Sequence, residues 1–566
     1  MRSPTFLLAF VQIALLLLLG FAVYLPTLRG EWMLDDSILL TDNVAIRSGS
    51  WGQLFMLWLD AKSIDYFPLT YSLFWVLWQC FGEQTLGYHI ITLFFHLTGA
   101  LLLWTVLRQM NIPGAWISAL IFTIHPVCVE TVAWISEMKN TLSLPLFLAS
   151  CIYWIKQDRS HGYTEIFFYC LSLTLFLLSL LAKPTAVAMP LLTLLYAWWK
   201  RSSVTPKDIV YTIPFFLTSL VVGLVTIHFQ HGRAIGDEVI PIGGFASRIA
   251  LSGIATLFYL WKIIWPQNLL PIYPMWEVVP PKPWQFLAWP ILSVAIWWMW
   301  QKRSTWGRHA LFALGFFLMF IAPVLGFIDF SFMRLSWVSD HFLYLPMIGP
   351  IVFLTAVTTY CIDQGSAVQK MLLKTLGGVI ILVLSMNTLL YSRVWINEDR
   401  LWNYTLEHNN DAWMAHLRLG ARKFDQLDVK GACDHFYQAM RLQPKLNIIK
   451  FRLGEALLRE DRPHEAIRIL EEVVSSSTHP DENHLILAQA YLKAQRYGQS
   501  LRLTSELLMR YPMNPDVQLT HSKTLSALGK NDQAIDLLKG LLTLRPNYEP
   551  AQKALHDVQQ RAQQAD

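Results

Sequence analysis

No P-loop, no G-x-G-x-x-G turn, no H-E-x-x-H helix and no G-x-S-x-G elbow occurs anywhere in these 566 residues. ATP-driven transport, dinucleotide redox chemistry, zincin proteolysis and nucleophile-elbow hydrolysis therefore lack their parts. Charge of one sign is also short: the formal net charge of +5 is small for the length and spread along the chain, which argues against a nucleic-acid partner. Cysteine is sparse. The six, Cys80, Cys128, Cys151, Cys170, Cys361 and Cys433, show no metal-ligand spacing and mostly lie in apolar runs, where they read as small core residues. No small-x-small cleavage site follows the first apolar run, Phe6 to Leu28, which is longer than a signal-peptide core and so reads as a retained transmembrane helix.

Apolar surface, by contrast, is in excess. Hydrophobic residues make up 54% and aromatics 13%, with 24 Trp and a mean hydropathy of +0.37, more than one soluble core buries. The chain is expected to be a polytopic membrane protein. Runs long enough to cross hydrocarbon fall at 6–28, 86–107, 113–131, 140–156, 164–182, 184–200, 209–229, 285–301, 309–328, 342–362 and 374–393. A twelfth, 247–265, is flanked by Arg248 and Lys262 and closed by Trp261, Trp265 and Pro266. Lys and Arg in short loops favour the cytoplasmic side. With a cytoplasmic N-terminus the loops at 108–113, 156–159, 200–207, 301–308 and 361–374 fall inside, provided 247–265 is re-entrant or interfacial. Eleven spans result, with everything after residue 393 outside.

Near residue 395 the composition changes. Long apolar runs stop, and Gly420, Gly454, Ala488 and Ser522 recur at intervals of 34 residues, the tetratricopeptide period. Other positions follow in register: Ala432, Phe436, Ala439 and Pro444; Ala466, Leu470 and Val473, with Pro480 delayed; Ser500, Leu507 and Pro512; Ala534, Leu538, Leu541 and Pro546. Small residues let the two helices of a repeat approach, and proline ends the second. Four repeats with a solvating helix from Glu549 to Gln560 are expected, giving an all-α chain with a membrane domain over 1–395 and an α-solenoid over 396–566. Such a solenoid presents a concave, peptide-binding type of surface or serves as a spacer or dimerisation element.

On this topology the outer face receives residues 29–85, with Asp35, Asp36, Asp42 and Asn43 and aromatic stretches at Trp51–Trp58 and Tyr66–Trp78 that suit interfacial helices. A second corner holds His125, Glu130, Trp134, Glu137, Lys139 and Asn140; if it is helical, Glu130 and Glu137 share a face. Lys183, then Arg233, Asp237, Glu238 and Arg248, then Arg334, Asp340 and His341 fill the others. Acids suit a base or a metal, and Lys183, Arg233, Arg248, Arg334 and His341 suit a phosphate. Each has a plainer reading: the Asp doublet as a helix cap, His125 as a turn residue, Glu130 and Glu137 as partners of Lys139, Lys183 as a snorkelling cation.

Leu34-Asp35-Asp36 with Thr41-Asp42-Asn43, Tyr66-Phe67-Pro68-Leu69-Thr70, Gly87-Tyr88-His89, His125-Pro126-Val127 with Glu130 to Glu137, Ala182-Lys183-Pro184, Trp265-Pro266 with Tyr273-Pro274, and Asp340 to Pro346 together resemble the transmembrane and tetratricopeptide-repeat-containing proteins. Those are membrane glycosyltransferases of the GT-C fold, alongside protein O-mannosyltransferases. The resemblance implies an inverting transferase that moves a sugar, mannose among the candidates, from a polyprenyl-phosphate carrier to a protein or other acceptor outside the membrane. The acidic motif of the first outer loop, here Asp35 and Asp36 with Asp36 favoured, would deprotonate the acceptor hydroxyl. Lys183, Arg248 and His341, with Arg233, would neutralise the departing phosphate, and His125, Glu130, Glu137, Lys139 and Asp340 would shape the site. Two departures from the family pattern stand out. His341 replaces an arginine, and Met138-Lys139-Asn140 replaces Arg-Lys-Asp. The expected partners are the lipid-linked donor, membrane lipids and a protein held by the repeats. No cofactor is assigned, and a divalent cation on Asp35 and Asp36 stays open. The expected place is the bacterial inner membrane with repeats in the periplasm, or alternatively the endoplasmic reticulum with repeats in the lumen. The alternative function is a non-catalytic scaffold for envelope polysaccharide assembly or secretion.

Overall fold

The computed structural model describes residues 4–59, 65–230, 240–476 and 481–565. Helices dominate, with no strand among the described residues, and the chain divides into two compact units, Met1–Asn409 and Asn410–Asp566.

In the first unit seven helices are long and apolar enough to cross a membrane: Leu7–Arg29, Thr85–Gln109, Tyr163–Ala182, Pro206–Phe229, Phe245–Ile264, Gly307–Val324 and Ala367–Ser392. Phe245–Ile264 is thus long enough to span, although the loop charges favoured a re-entrant segment there. The expected span 140–156 lies within one helix, Met138–Gln157, while the remaining ones are shorter or broken. Residues 113–131 split into Ala115–Thr123 and Cys128–Ala133, since Pro126 disfavours helical backbone at His125. Residues 184–200 start as a tight turn before Met189–Arg201, and 285–301 and 342–362 retain the helices Ala288–Gln301 and Ile348–Gln364.

Met138–Gln157 and Tyr163–Ala182 pack antiparallel through paired serines. Ser150 Oγ donates to the Ser172 carbonyl at 2.7 Å and Ser172 Oγ returns a bond to the Ser150 carbonyl at 2.9 Å. One face further on, Ser143 and Ser179 repeat the exchange at 3.0 Å each way. Small hydroxyl residues let helices approach closely where water is absent, and the buried hydroxyls find partners across the seam. Steps of seven and then four residues keep a helix position on one face. The register that pairs Ser150 with Ser172 and Ser143 with Ser179 therefore brings Lys139 beside the end of Tyr163–Ala182, where Lys183 follows on extended backbone. Gly99 lets a third helix, Thr85–Gln109, close on this pair: a Cβ there would stand 3.0 Å from Leu144.

The second unit is four helix pairs, Trp413–Asp425 with Val429–Leu442, Asn447–Arg459 with Pro463–Ser476, Asp481–Lys493 with Tyr497–Arg510, and Pro515–Ala527 with Asn531–Leu544, followed by Glu549–Ala565. The positions read from the 34-residue period are its core: Ala432, Phe436, Ala466, Leu470, Ser500, Leu507, Ala534 and Leu538 are all buried. Gly420 and Gly454 face the second helix of their own repeats, where an added Cβ would stand 2.7 Å from Phe436 and 2.6 Å from Leu470. A further periodic feature lies in the turns. Leu427, Asp461, Gln495 and Gly529, each 34 residues after the last, all take positive φ, and three of them are not glycine, so residue type hides the period there. Gly454→Leu is expected to destabilise the repeats by about 1–3 kcal/mol through overpacking. Gly540→Ala, where a Cβ meets nothing within 4 Å, should stabilise them by about 1 kcal/mol through helix propensity. Thermal unfolding followed by circular dichroism separates the two.

Candidate functional site

Where the serine seam ends, Lys139 and Lys183 meet one carboxylate. Glu137, buried to 1%, takes Lys139 Nζ at 3.0 Å on Oε1 and Lys183 Nζ at 2.9 Å on Oε2. Asn140 Nδ2 donates to Glu137 Oε2 at 2.6 Å and also lies 3.4 Å from the His341 carbonyl. An aspartate at 140 would have no N–H to give to either oxygen. Burial pushes the Glu137 carboxyl up, but Lys139, Lys183 and His341 outweigh it and hold it well below the usual carboxylate range. On Lys183 burial prevails over Glu137, bringing the ammonium down to about 8. Lys139 is buried too, yet Glu137, Asp65 and Asp35 lift it above its ordinary value.

The helix break that frees Glu137 is local. Cys128–Ala133 ends at Trp134, whose backbone is extended (φ −84°, ψ 116°), and a tight turn over Ile135–Glu137 precedes Met138–Gln157. The expected single helix with Glu130 and Glu137 on one face is therefore corrected: the Ser136 N–H, freed from helix bonding, reaches Asp36 instead. Glu130 serves another group. Its carboxylate accepts from the His341 N–H at 3.1 Å, faces His341 Nδ1 at 2.8 Å and takes Ser339 Oγ at 3.1 Å. Nδ1 is so committed that the other ring nitrogen of His341 carries no hydrogen bond among the described residues.

Asp35 and Asp36 part company. Asp36 is fully buried: Oδ1 accepts from the Ser136 N–H at 2.8 Å and from Ser136 Oγ, and Oδ2 accepts from the Met33 N–H at 3.0 Å. Burial raises its carboxyl to about 7, against the pull of those bonds and with a further push from Asp35. Asp35 is exposed, and its charge is felt by Lys139 and Asp65. The loop between them and the first helix is pinned from several sides. The Gly30 carbonyl lies 3.2 Å from His89 Nε2, the Glu31 N–H donates to the Ile396 carbonyl at 2.9 Å, and the Leu34 N–H donates to Glu398 Oε1 at 2.9 Å. Leu34 takes positive φ, 55°, a strained turn that aims the two acids apart.

Asp65 belongs with this group and escaped the sequence reading, although it directly precedes Tyr66-Phe67-Pro68. Burial raises its carboxyl against Lys139, Lys183 and a hydrogen bond from Gln230. The remaining candidates lie apart. Asp340 turns to Tyr273, whose hydroxyl donates to Oδ1 at 2.8 Å, and burial with the Glu130 charge raises it well above the carboxylate range. His125 Nε2 meets the Ile263 carbonyl at 3.0 Å and its Nδ1 accepts from the Val127 N–H at 3.3 Å, so it ties the broken helix to a neighbour. Arg248 is engaged by Asp329 at 2.8 Å and the Gly326 carbonyl at 2.8 Å. Arg233 lies outside the described residues, as do Asp237 and Glu238. No three His, Cys, Asp or Glu side chains gather as a metal site among the described residues.

Residues 457–524 match the tetratricopeptide repeat family. Over 162 residues the chain is 26% identical to protein O-mannosyl-transferase F38B6.6 of Caenorhabditis elegans, covering 26% of this chain and 23% of that protein. The chain thus matches about a quarter of the length of that curated relative. Among solved structures it is similar to YrrB, a TPR protein with an unusual peptide-binding site, at 16% identity and a TM-score of 0.25, covering 35% of this chain and 96% of that one. It is also similar to MamA from Desulfovibrio magneticus RS-1, at 15% identity and a TM-score of 0.25, covering 27% and 87%.

Two outcomes follow from the electrostatics. Glu137→Gln leaves two close ammonium groups without their shared counter-charge and should cost about 3–5 kcal/mol, whereas Glu137→Gln combined with Lys139→Gln should cost less; thermal unfolding in detergent measures both. Because the folded protein holds the Asp36 proton more tightly than an unfolded chain, this group's contribution to stability is full below about pH 4 and is lost as pH rises through about 7, by up to about 4 kcal/mol. Asp36→Asn should flatten that slope in the same melting series.

Proposed function

We propose that this chain is a membrane glycosyltransferase of the GT-C type that transfers a sugar from a polyprenyl-phosphate carrier to an acceptor hydroxyl, with the repeats holding a protein acceptor or partner. The observation that carries it is the exposed Asp35 carboxylate, set beyond the first spanning helix and in electrostatic reach of the Lys139–Glu137–Lys183 group. The O-mannosyl-transferase named above lends support as a relative, and the match of residues 457–524 to the tetratricopeptide repeat family lends support for a protein ligand on the repeats.

In this reading Asp35, rather than the initially favoured Asp36, is the base. Asp36 has its lone pairs committed to Ser136 and Met33 and sits where no acceptor hydroxyl reaches it, so it positions the loop. Asp35 takes the acceptor proton as the hydroxyl oxygen attacks the anomeric carbon, and the bond from that carbon to the phosphate oxygen breaks on the opposite side. The charge left on the lipid phosphate falls to Lys183 and Lys139, whose side chains retain 12% and 11% exposure. His341, fixed through Nδ1 by Glu130, offers its other ring nitrogen to the same phosphate. Where relatives use arginine, a histidine carries charge only when protonated, so donor capture leans on the lysines.

Membranes containing the protein, supplied with a polyprenyl-phosphate sugar and a hydroxyl acceptor, test this. Asp35→Asn should lower kcat by about 10²–10⁴, with the protein still folded, and deletion of residues 410–566 should spare transfer to a small acceptor. Undiminished transfer by the Asp35→Asn protein would overturn the reading, and loss of every phenotype on deletion alone would favour the scaffold. The lowered Lys183 value sets a further expectation: donor KM should rise as pH passes about 8 and be high throughout in Lys183→Met.

A further inference from the structure

At the far end of the helices that carry the ion cluster lies a cavity of about 1010 Å³, lined almost wholly by apolar side chains. Lys139 heads the Met138–Gln157 helix, while Cys151 and Ile155 of that helix line the cavity, about 18 to 24 Å further along at the helical rise. Leu107, Trp199 and Tyr360 come likewise from the last turns of their helices. Phe147, and Met189 and Ile348 at the starts of their helices, line it too, so the space runs along the bundle from about 12 Å beyond Lys139 to the opposite helix ends, away from Asp35 and the lysines.

Two features identify its occupant. Trp199, Trp298 and Trp306 line the cavity at helix ends, and Trp298 packs edge-on against Trp306 at 4.7 Å. Indoles at this position mark the headgroup level of a bilayer, which sets the cavity at acyl-chain depth and its mouth at the phosphate level. At this end the lining includes residues 110–113 and 305–306, from two segments, 108–114 and 301–308, that carry Arg108, Lys302, Arg303 and Arg308 and no acid. Arg308 donates to Ser202 Oγ at 2.6 Å. Arg108, Lys302 and Arg303 are exposed and have no carboxylate partner among the described residues; Arg108 lies over Trp104 at 5.6 Å, and Arg303 lies over Trp300 at 4.9 Å and donates Nη1 to the Trp300 carbonyl at 3.0 Å. An apolar chamber with unneutralised cations at its mouth fits an amphiphile with an anionic head.

We propose that this chamber binds one acyl chain of an anionic phospholipid, with the lipid phosphate held by Arg108, Lys302 and Arg303. The site is separate from the donor site and stands whether or not the transferase reading holds.

Native mass spectrometry of the full chain in detergent, titrated with dioleoyl phosphatidylglycerol or dioleoyl phosphatidylcholine, tests it. The wild-type protein should retain the anionic lipid about tenfold more tightly than the zwitterionic one. Arg108→Gln with Lys302→Gln and Arg303→Gln, all at exposed positions, should abolish that preference while keeping the melting temperature. Ala356→Phe with Val352→Phe, which fills the chamber, should remove tight binding of both lipids; Cys151, which lines the same space, gives a second reading, since added phosphatidylglycerol should slow its alkylation by a maleimide in the wild-type protein. Equal affinity of the wild-type protein for the two lipids would overturn the proposal, as would a preference that survives the triple glutamine variant or alkylation of Cys151 that phosphatidylglycerol leaves unchanged.

Discussion

A single buried carboxylate, Glu137, holds the centre of the first unit together by neutralising two lysines that the helix packing brings into one place. Two ammonium groups brought face to face by a packed seam repel each other strongly where water is scarce. Glu137 turns that repulsion into a joint, because each oxygen takes one lysine and Asn140 donates to one of them as well. The serine pairs below fix the register, so the seam and the ion cluster require each other.

From this joint a polar network reaches outward in two directions. Through Asn140 it meets the His341 backbone, and through His341 it meets Glu130 and Ser339. Through Ser136, the residue before Glu137, it meets Asp36 and the loop beyond the first helix. Buried networks of this kind are costly when half satisfied and rigid when complete. The consequence is a division of labour among acids that look alike in the sequence. Glu137 and Glu130 fix cations and a ring, Asp36 fixes a loop, Asp340 sits with Tyr273, and Asp35 alone of the doublet keeps its carboxylate towards solvent.

Much of the fold was legible because its signals are repetitive. The 34-residue period depends on several residues in fixed register, and its small and apolar positions proved to be core, because only a small side chain lets Phe436 or Leu470 close on the facing helix. Pro444, Pro512 and Pro546 stand exposed at the turns, and Pro480 lies outside the described residues. Long apolar runs were legible by the same logic, yet run length alone misjudged the helices. Pro126 broke one run, and 247–265, which carries Arg248 and Lys262 at its edges, formed a full-length helix in which Lys262 turns back to the carbonyls of Gln267 and Asn268. The site was legible as a set of residue types at the loops, but Asp65 and Ser136 were missed as members, although they adjoin Tyr66-Phe67-Pro68 and Glu137, because only the fold brings Asp65 to the lysines and Ser136 to Asp36.

The sequence by itself determined that the chain is all-α, rich in helices fit for a membrane, and closed by tetratricopeptide repeats, since these follow from apolar length and from spacing along one chain. Only the tertiary structure decided which charges meet. Lys139 and Lys183 are 44 residues apart and come together because paired serines set an antiparallel register. Asp35 and Asp36 are adjacent and separate because one strained turn and a hydrogen bond from Ser136, a hundred residues away, bury the second and leave the first in water.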